Sequence, residues 1–270
     1  LLGAAERWLE GQGLERVVGP LNFSPNDESH SPGILLDGYD SPPFVGMAHG
    51  RPYYPPLLEG AGYRKARDLL AYRISSSQPP ERLATAAQRI ESGIAGLRIR
   101  TMDPRRLEED LAVVQGICTN AWEGRWRFVP LTPSEIRNMA TELEPILEPR
   151  YALIASIHGQ PVGFSLALPD FNQVLSRLKG KLLPFGFLKV MRYLPRIDQA
   201  RVFAVGLKKE HRGTGIDAVL YLRTFRAGQE LGHLRGESSW ISDHDWKMRR
   251  TLEKAGASVY KTYRVYEKPL

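Results

Sequence analysis

Apolar positions recur along this chain in two periods, one of strands and one of helices, and their alternation predicts its elements. The clearest passage is Arg201-Val202-Phe203-Ala204-Val205-Gly206-Leu207, an apolar run of strand length rich in β-favouring residues. A polar turn, Lys208-Lys209-Glu210-His211, leads into Arg212-Gly213-Thr214-Gly215-Ile216-Asp217, which opens a helix with Ile216, Val219, Leu220 and Phe225 among its apolar positions. Upstream, 97–102 alternates as a strand and 107–121 reads as a helix. Thr132-Pro133-Ser134-Glu135 starts a further helix, with proline at the first helical position and a capping-box acid, predicted to run to about residue 147. Residues 151–157 and 162–168 read as strands joined by a hairpin turn, His158-Gly159-Gln160-Pro161.

The first 74 residues carry a shorter series. Residues 4–11 predict a helix ending at glycine, and 15–20 a strand stopped by Gly19-Pro20. A long loop with Asn22, Phe23, Ser24, Asn26 and Asp27 follows, then the apolar stretch 33–38, a short helix within 53–63 and a closing strand over 65–74. The chain's last elements repeat this helix-to-strand step: Leu58-Glu59-Gly60-Ala61-Gly62-Tyr63 aligns without a gap with Leu252-Glu253-Lys254-Ala255-Gly256-Ala257. A tandem duplication accounts for this, with the first copy cut off at its own phosphate loop; so do two unrelated Leu-Glu-x-x-Gly helix ends. Ser75-Ser76-Ser77-Gln78-Pro79-Pro80 reads as a linker, and 81–93 as an amphipathic helix with Leu83, Ala86, Ala87 and Ile90 on one face. The expected divisions are 1–74, a partial copy; 75–96, linker and helix; and 97–270, a complete domain.

The strand, glycine turn and helix around Gly213 and Gly215 point backbone N–H groups at an anion, because a helix's first turn has donors with no internal partner. The turn reads as a diphosphate cradle; an ordinary turn is the alternative. Gly213-Thr214-Gly215-Ile216-Asp217-Ala218 also fits a loose dinucleotide fingerprint, but too little chain follows to build the further βα units that fold needs.

Arg212 to Ile216 resemble the Arg-Gly-x-Gly-Ile core of the GNAT superfamily of acyl-CoA-dependent N-acyltransferases. The predicted order from residue 97 (strand, two helices, hairpin, strand, phosphate loop, helix, strand, helix, strand) is similar to that fold. Asn120-Ala121-Trp122-Glu123, Phe128-Val129-Pro130-Leu131-Thr132, Pro169-Asp170-Phe171-Asn172-Gln173 and Leu183-Pro184-Phe185-Gly186 look like motifs of bacterial tandem acyltransferase-like proteins. The resemblance implies an α/β (α+β) fold, a twisted, mixed, mostly antiparallel central sheet flanked by helices, with a partial second copy at the N-terminus. It implies acetyl-CoA or another acyl-CoA as a substrate, with no metal. Backbone groups of Ala204, Val205, Gly206 and Leu207 would hold the pantetheine arm, and His211, Arg212, Gly213, Thr214, Gly215, Ile216 and Asp217 the pyrophosphate. Asp217 departs from the family's last glycine, and its carboxylate suits the helix dipole but repels a phosphate.

Acyl transfer to an amine needs a base for the ammonium and an acid for the leaving thiolate. In this resemblance the acid is commonly a tyrosine on the last helix; here that position is Leu252, and Asp245 replaces a usual asparagine. Tyr260 and Tyr263 are substitutes that packing also explains. Glu123, Asp170 and His244 are candidate bases. Asn120, Trp122, Trp126, Phe128 and Asn172 are candidates for the acceptor pocket, with core packing the alternative for the aromatics. The six histidines are scattered, without metal-ligand spacing.

Composition narrows the context. The single cysteine, Cys118, allows no internal disulfide and suits a reducing, cytoplasmic setting. No apolar run approaches the roughly 20 residues that span a bilayer, and no secretory signal is visible. The chain opens on Leu1-Leu2-Gly3, which suggests a missing upstream part. Net charge is +7, and 171–212 hold ten Lys/Arg against two acids. Within it, the insertion 174–196 mixes an apolar centre with basic flanks, a pattern that suits an acidic membrane, a lid or a packed helix pair. The leading expectation is an acyl-CoA-dependent N-acyltransferase, in the first instance an N-acetyltransferase, acting on a small-molecule or peptide amine, with nucleic acid a disfavoured partner, peripheral membrane contact open and oligomeric state unassigned. The alternative is a catalytically degenerate binding module of the same fold, docking on an anionic membrane or nucleic acid through its basic insertion.

Overall fold

Why the chain takes up the elements it does is plainest at their ends. A computed structural model describes residues 1–21, 33–75, 78–124, 128–178, 181 and 185–270. In order they form α1 (Leu2–Gly11), β1 (Arg16–Gly19), β2 (Ile34–Asp37), α2 (Tyr54–Gly60), β3 (Arg64–Ser75), α3 (Glu81–Gly93), β4 (Leu97–Thr101), α4 (Leu107–Trp122), α5 (Pro133–Leu143), β5 (Ala152–Ile157), β6 (Gln160–Pro169), α6 (Asn172–Leu178), α7 (Gly186–Tyr193), β7 (Gln199–Leu207), α8 (Ile216–Leu231), β8 (Arg235–Ser242), α9 (Trp246–Lys254) and β9 (Ser258–Pro269). The Thr132 capping box forms as expected, but α5 stops at Leu143 rather than near 147, because Pro145 has no N–H to continue the ladder. The β5–β6 hairpin turns on two residues, His158 and Gly159, both at positive φ, so Gln160 and Pro161 belong to the strand. Ser75 ends β3 rather than opening a linker. The loop residues Asn22 to Asp27 lie outside the described residues, as does Trp126.

The chain packs as two compact units, Ile74–Glu237 and a second made of Leu1–Arg73 with Ser238–Leu270. The boundary between the two units falls within β8, after Glu237. In the first unit β7, β6, β5 and β4 lie side by side, every pair antiparallel. Ile216 and Leu220 of α8 pack on Leu153, Ala155 and Val162. Ala87 of α3 packs on Val219 and Leu222 of α8. Ser165, hydrogen-bonded to Thr224 of α8 at 3.0 Å, and Phe164, packed edge-on against Trp122 of α4 at 6.2 Å, are strand neighbours, so α8 and α4 cover opposite faces. Burial works against the charge of Asp110 in α4, yet the Arg100 guanidinium and the Asp103 N–H hold its carboxyl below the usual range.

In the second unit β9 runs between β3 on one side and β1 and β2 on the other, all antiparallel. Leu35, Phe44, Met47, Ala71 and Tyr263 form one core, and Leu58, Tyr63 and Tyr266 another. The aligned helix ends close alike. Gly62 N–H donates to the Glu59 carbonyl and Tyr63 N–H to that of Leu58; Gly256 and Ala257 do the same to Glu253 and Leu252. These are the paired bonds of a helix stop on a left-handed residue, and Gly62 and Gly256 share a φ of +87°.

Candidate active site

The glycine loop is set by β7 on one side and α8 on the other. Lys208 N–H bonds to the Val162 carbonyl at 2.9 Å, ending the β6–β7 ladder, and Lys209–His211 form one 3-10 turn. Gly213 and Gly215 follow with φ of +78° and +84°. Gly215 is the N-cap of α8, and no side chain caps that helix. Of its first-turn N–H groups, that of Ala218 bonds back to the Gly215 carbonyl at 2.9 Å, and those of Ile216 and Asp217 are left to a ligand or solvent. A Cβ at Gly213 would meet nothing within 4 Å, whereas one at Gly215 would lie 2.3 Å from Ile90 Cδ1. Gly213 thus faces open space, and Gly215 packs on α3. Ile216 is buried, while Asp217 is half-buried in the first helical turn. This combination fits an anionic group such as a diphosphate.

β7 carries a bulge. Leu166 pairs with Ala204 but Ala167 with Val202, which leaves Phe203 extra. From Ala204 to Leu207 the ladder to β6 is regular, with Ser165 opposite Val205 and Phe164 opposite Gly206. The Phe164 ring occupies the room a side chain at 206 would take, 2.6 Å from an ideal Cβ there. Trp122 rests on Phe164 and, at 6.0 Å, on Phe128. Trp122 and Phe128, two of the three aromatics expected in an acceptor pocket, thus pack on the α4 side of Phe164 in β6.

The end of α4 also grips the loop. Asn120 accepts the Lys209 N–H at 2.7 Å and donates to Glu210 at 3.3 Å. Arg212 donates to the Ala121 carbonyl, and Lys209 Nζ lies 2.9 Å from Glu123. The Lys209 ammonium, hydrogen-bonded to Glu123, holds that carboxyl below the ordinary range, which weakens it as a base. Asn120 and Glu123, expected as acceptor and catalytic residues, are thereby placed as the loop's anchors.

Over an alignment of 278 positions covering the whole chain, the sequence is 35% identical to the bacterial ceramide synthase of Caulobacter vibrioides. It is 32% identical over 277 to protein YghO of Escherichia coli, again along all of the chain. The chain spans 71% and 70% of those two proteins. It belongs to the bacterial ceramide synthase–YghO family. No family model matches the sequence. Among solved structures, a GCN5-related N-acetyltransferase from Sphaerobacter thermophilus superposes with a TM-score of 0.58 at 17% identity, over 99% of this chain and 66% of that one. A tandem GNAT protein from the clavulanic acid biosynthesis pathway gives 0.50 at 12% identity, over 98% and 67%. These likenesses show the fold: this member of the ceramide synthase–YghO family has the α/β GNAT fold, with mostly antiparallel strands flanked by helices, and its neighbours of that fold are acyltransferases.

Four further predicted residues of this family member belong to elements other than the glycine loop and α4. Asn172 starts α6, at the end of β6 where Pro169 pairs with Ala200, so it sits at the opposite end of β7 from the glycine loop. Its neighbours tie α6 to β7: Gln173 bonds Asp198 at 2.7 Å, and Gln199 donates to the buried Asp170 at 2.5 Å. The other three belong to the second unit. Asp245 caps α9, its carboxylate accepting the Met248 N–H at 3.2 Å. Tyr263 is fully buried, and its hydroxyl donates to the Ala48 carbonyl at 3.2 Å. His244 is exposed, 3.7 Å from Asp243. Leu252, at the expected tyrosine position, is buried beneath its helix stop.

One charged pair was not predicted. Arg201 in β7 and Glu237 in β8 are both fully buried, with Nε and Oε1 3.6 Å apart. The legible signal was a charge inside each strand, Arg201 between Ala200 and Val202 and Glu237 between Gly236 and Ser238. Among the described residues, no group of three or more His, Cys, Asp or Glu is placed to hold a metal ion.

Proposed function

We propose that this protein is an acyl-CoA-dependent N-acyltransferase whose acceptor is the amine of a long-chain amino alcohol. The observation that carries the cofactor is the glycine loop, with open space at Gly213 before a helix that no side chain caps. Residues 211–217 would hold the diphosphate, and the pantetheine arm would run along Ala204 to Leu207. The acceptor class is supported by full-length similarity to a protein named a ceramide synthase, since a ceramide is the amide of such an alcohol. The amine nitrogen attacks the thioester carbonyl, the C–N bond forms, the C–S bond breaks, and the proton lost by nitrogen ends on the thiolate.

The test combines binding and turnover. Free coenzyme A, acetyl-CoA and palmitoyl-CoA are added to the protein while its melting is followed; a ligand at 100 times its dissociation constant adds about 2.7 kcal/mol. Thiol release is then compared for sphinganine and for a short amino alcohol. Stabilisation by a thioester, with faster release on sphinganine, is expected. No stabilisation by any thioester removes the reading. A second reading, an acyl-CoA-binding module without turnover, is favoured by the fate of the expected acid: Leu252 is apolar and Tyr263 is committed to a backbone carbonyl. Binding without thiol release would select it.

A further inference from the structure

Between β6 and β7, residues 171–197 hold six Lys/Arg and neither Asp nor Glu. Within this segment α7 packs inward through Gly186, Val190 and Tyr193, spaced i, i+4 and i+7, all buried or half-buried. A Cβ at Gly186 would lie 2.5 Å from the Lys181 carbonyl oxygen, so that side is closely packed. The outer side of a surface helix is ordinarily polar. Here it carries a second apolar row. Phe187, Leu188, Met191 and Leu194 are exposed by 50%, 52%, 70% and 43%, and Phe185 at the N-cap by 69%. Their spacing, i, i+1, i+4 and i+7, places them on one stripe. Lys189 and Arg192 stand one turn apart on its shoulder, with Lys181 and Arg196 beyond the two ends. Among the described residues none of these four cations makes an ion pair.

An occupant must satisfy both features. A nucleic acid would neutralise the cations and leave the apolar row in water. A second copy would oppose two basic shoulders across a two-fold axis. An anionic bilayer meets both demands, with acyl chains for the row and headgroups for the cations. Among the described residues no helix is long and apolar enough to cross a membrane, so the contact is interfacial.

We propose that α7 docks this protein on the surface of an anionic bilayer, with Phe185, Phe187, Leu188, Met191 and Leu194 entering the headgroup–acyl boundary and the flanking cations holding lipid phosphates. The docking stands on α7 alone. A consequence for catalysis rests on the proposed function. α7 precedes the first residue of β7, while the glycine loop follows its last, about 27 Å along the strand. An acyl chain extending along β7 from a diphosphate in the loop points toward the end where α7 meets the lipid.

The test is flotation of the purified protein with phosphatidylcholine vesicles, with and without phosphatidylglycerol, at low and high salt, without any thioester. Flotation with the anionic vesicles, weakened by salt, is expected. The pairs Phe187→Asp/Met191→Asp and Lys189→Glu/Arg192→Glu should each lower the bound fraction by about tenfold or more, without changing the melting temperature. The proposal is overturned if the wild type stays in solution with anionic vesicles at low salt, or if both variants float as it does. It is also overturned if the lipid-free protein is a dimer that the first variant dissociates while flotation is unaffected. Flotation without acyl-CoA binding would leave the docking in place and remove the acyl-transfer reading.

Discussion

Gly213 and Gly215 are two residues apart, yet one faces space and the other a helix. Replacing Gly213 by Ala should cost only the backbone term, about 1–2 kcal/mol, while bringing a methyl group toward the bound anion. Gly215→Ala adds a clash with Ile90 and should cost about 2–4 kcal/mol in urea unfolding. Coenzyme A affinity, measured by calorimetry, should fall in the first variant out of proportion to its stability. Asp245→Ala removes a helix cap and is expected to lose about 1 kcal/mol while keeping kcat within a few-fold. A hundredfold loss of kcat at unchanged stability would instead make its carboxylate catalytic. The residue types of the site were readable in the sequence, but their commitments were not. Nothing near Asn120 announces that its amide answers to Lys209, and nothing near Tyr263 announces the carbonyl of Ala48. Both partners are distant in sequence, and a polar tip on an aromatic or an amide is compatible with either catalysis or packing.

α8 is where an element's own field meets the ligand. Its first turn holds Asp217, whose charge is favoured by the helix N-terminus but opposed by any phosphate bound there. Asp217→Asn should therefore move two quantities in opposite directions. Unfolding free energy should drop by about 0.3–1 kcal/mol, and acyl-CoA affinity should rise by about two- to fivefold at low salt. A loss of affinity would mean that the carboxylate contacts the ligand through a group other than phosphate. Elements with a strong period and clear ends were legible: α3 runs over the predicted residues 81–93, and the Thr132 capping box forms. α5 was overextended because an apolar period continues past Pro145, and periodicity alone does not register a missing N–H. The bulge at Phe203 was not legible, since an extra residue in one strand is defined by its partner.

At the scale of the whole molecule, titration and topology make separate claims. Burial holds the His233 imidazole below its usual value of 6.5, against the pull of Asp198 and Glu148. The depressed value means that the neutral ring stabilises the fold above pH 6.5 and that this contribution is lost as pH falls through the folded value. Urea unfolding should show stability dropping below pH 6.5, and His233→Gln should flatten the drop. Asp110 and Asp68, both held low by guanidinium partners against the effect of burial, add a second loss below about pH 4. The topology of the second unit makes deletion of residues 1–75 costly. It would strip both neighbours from β9 and bare Tyr263, Val265 and Tyr266, so aggregation is expected in a sedimentation assay, and a soluble, monomeric product would contradict this pairing. Hydrophobic patterning identified β3 and β9 as strands, but not that β9 would lie between partners drawn from the first 73 residues, because pairing across the chain leaves no local trace. That arrangement also has a consequence in time. On the ribosome, β1, β2 and β3 emerge long before the strand that joins them, and residues 74–237 are made in the interval. Their edges must wait, shielded or chaperoned, through the synthesis of an entire other unit, so the speed of translation over that interval bears on how much of the protein is recovered intact.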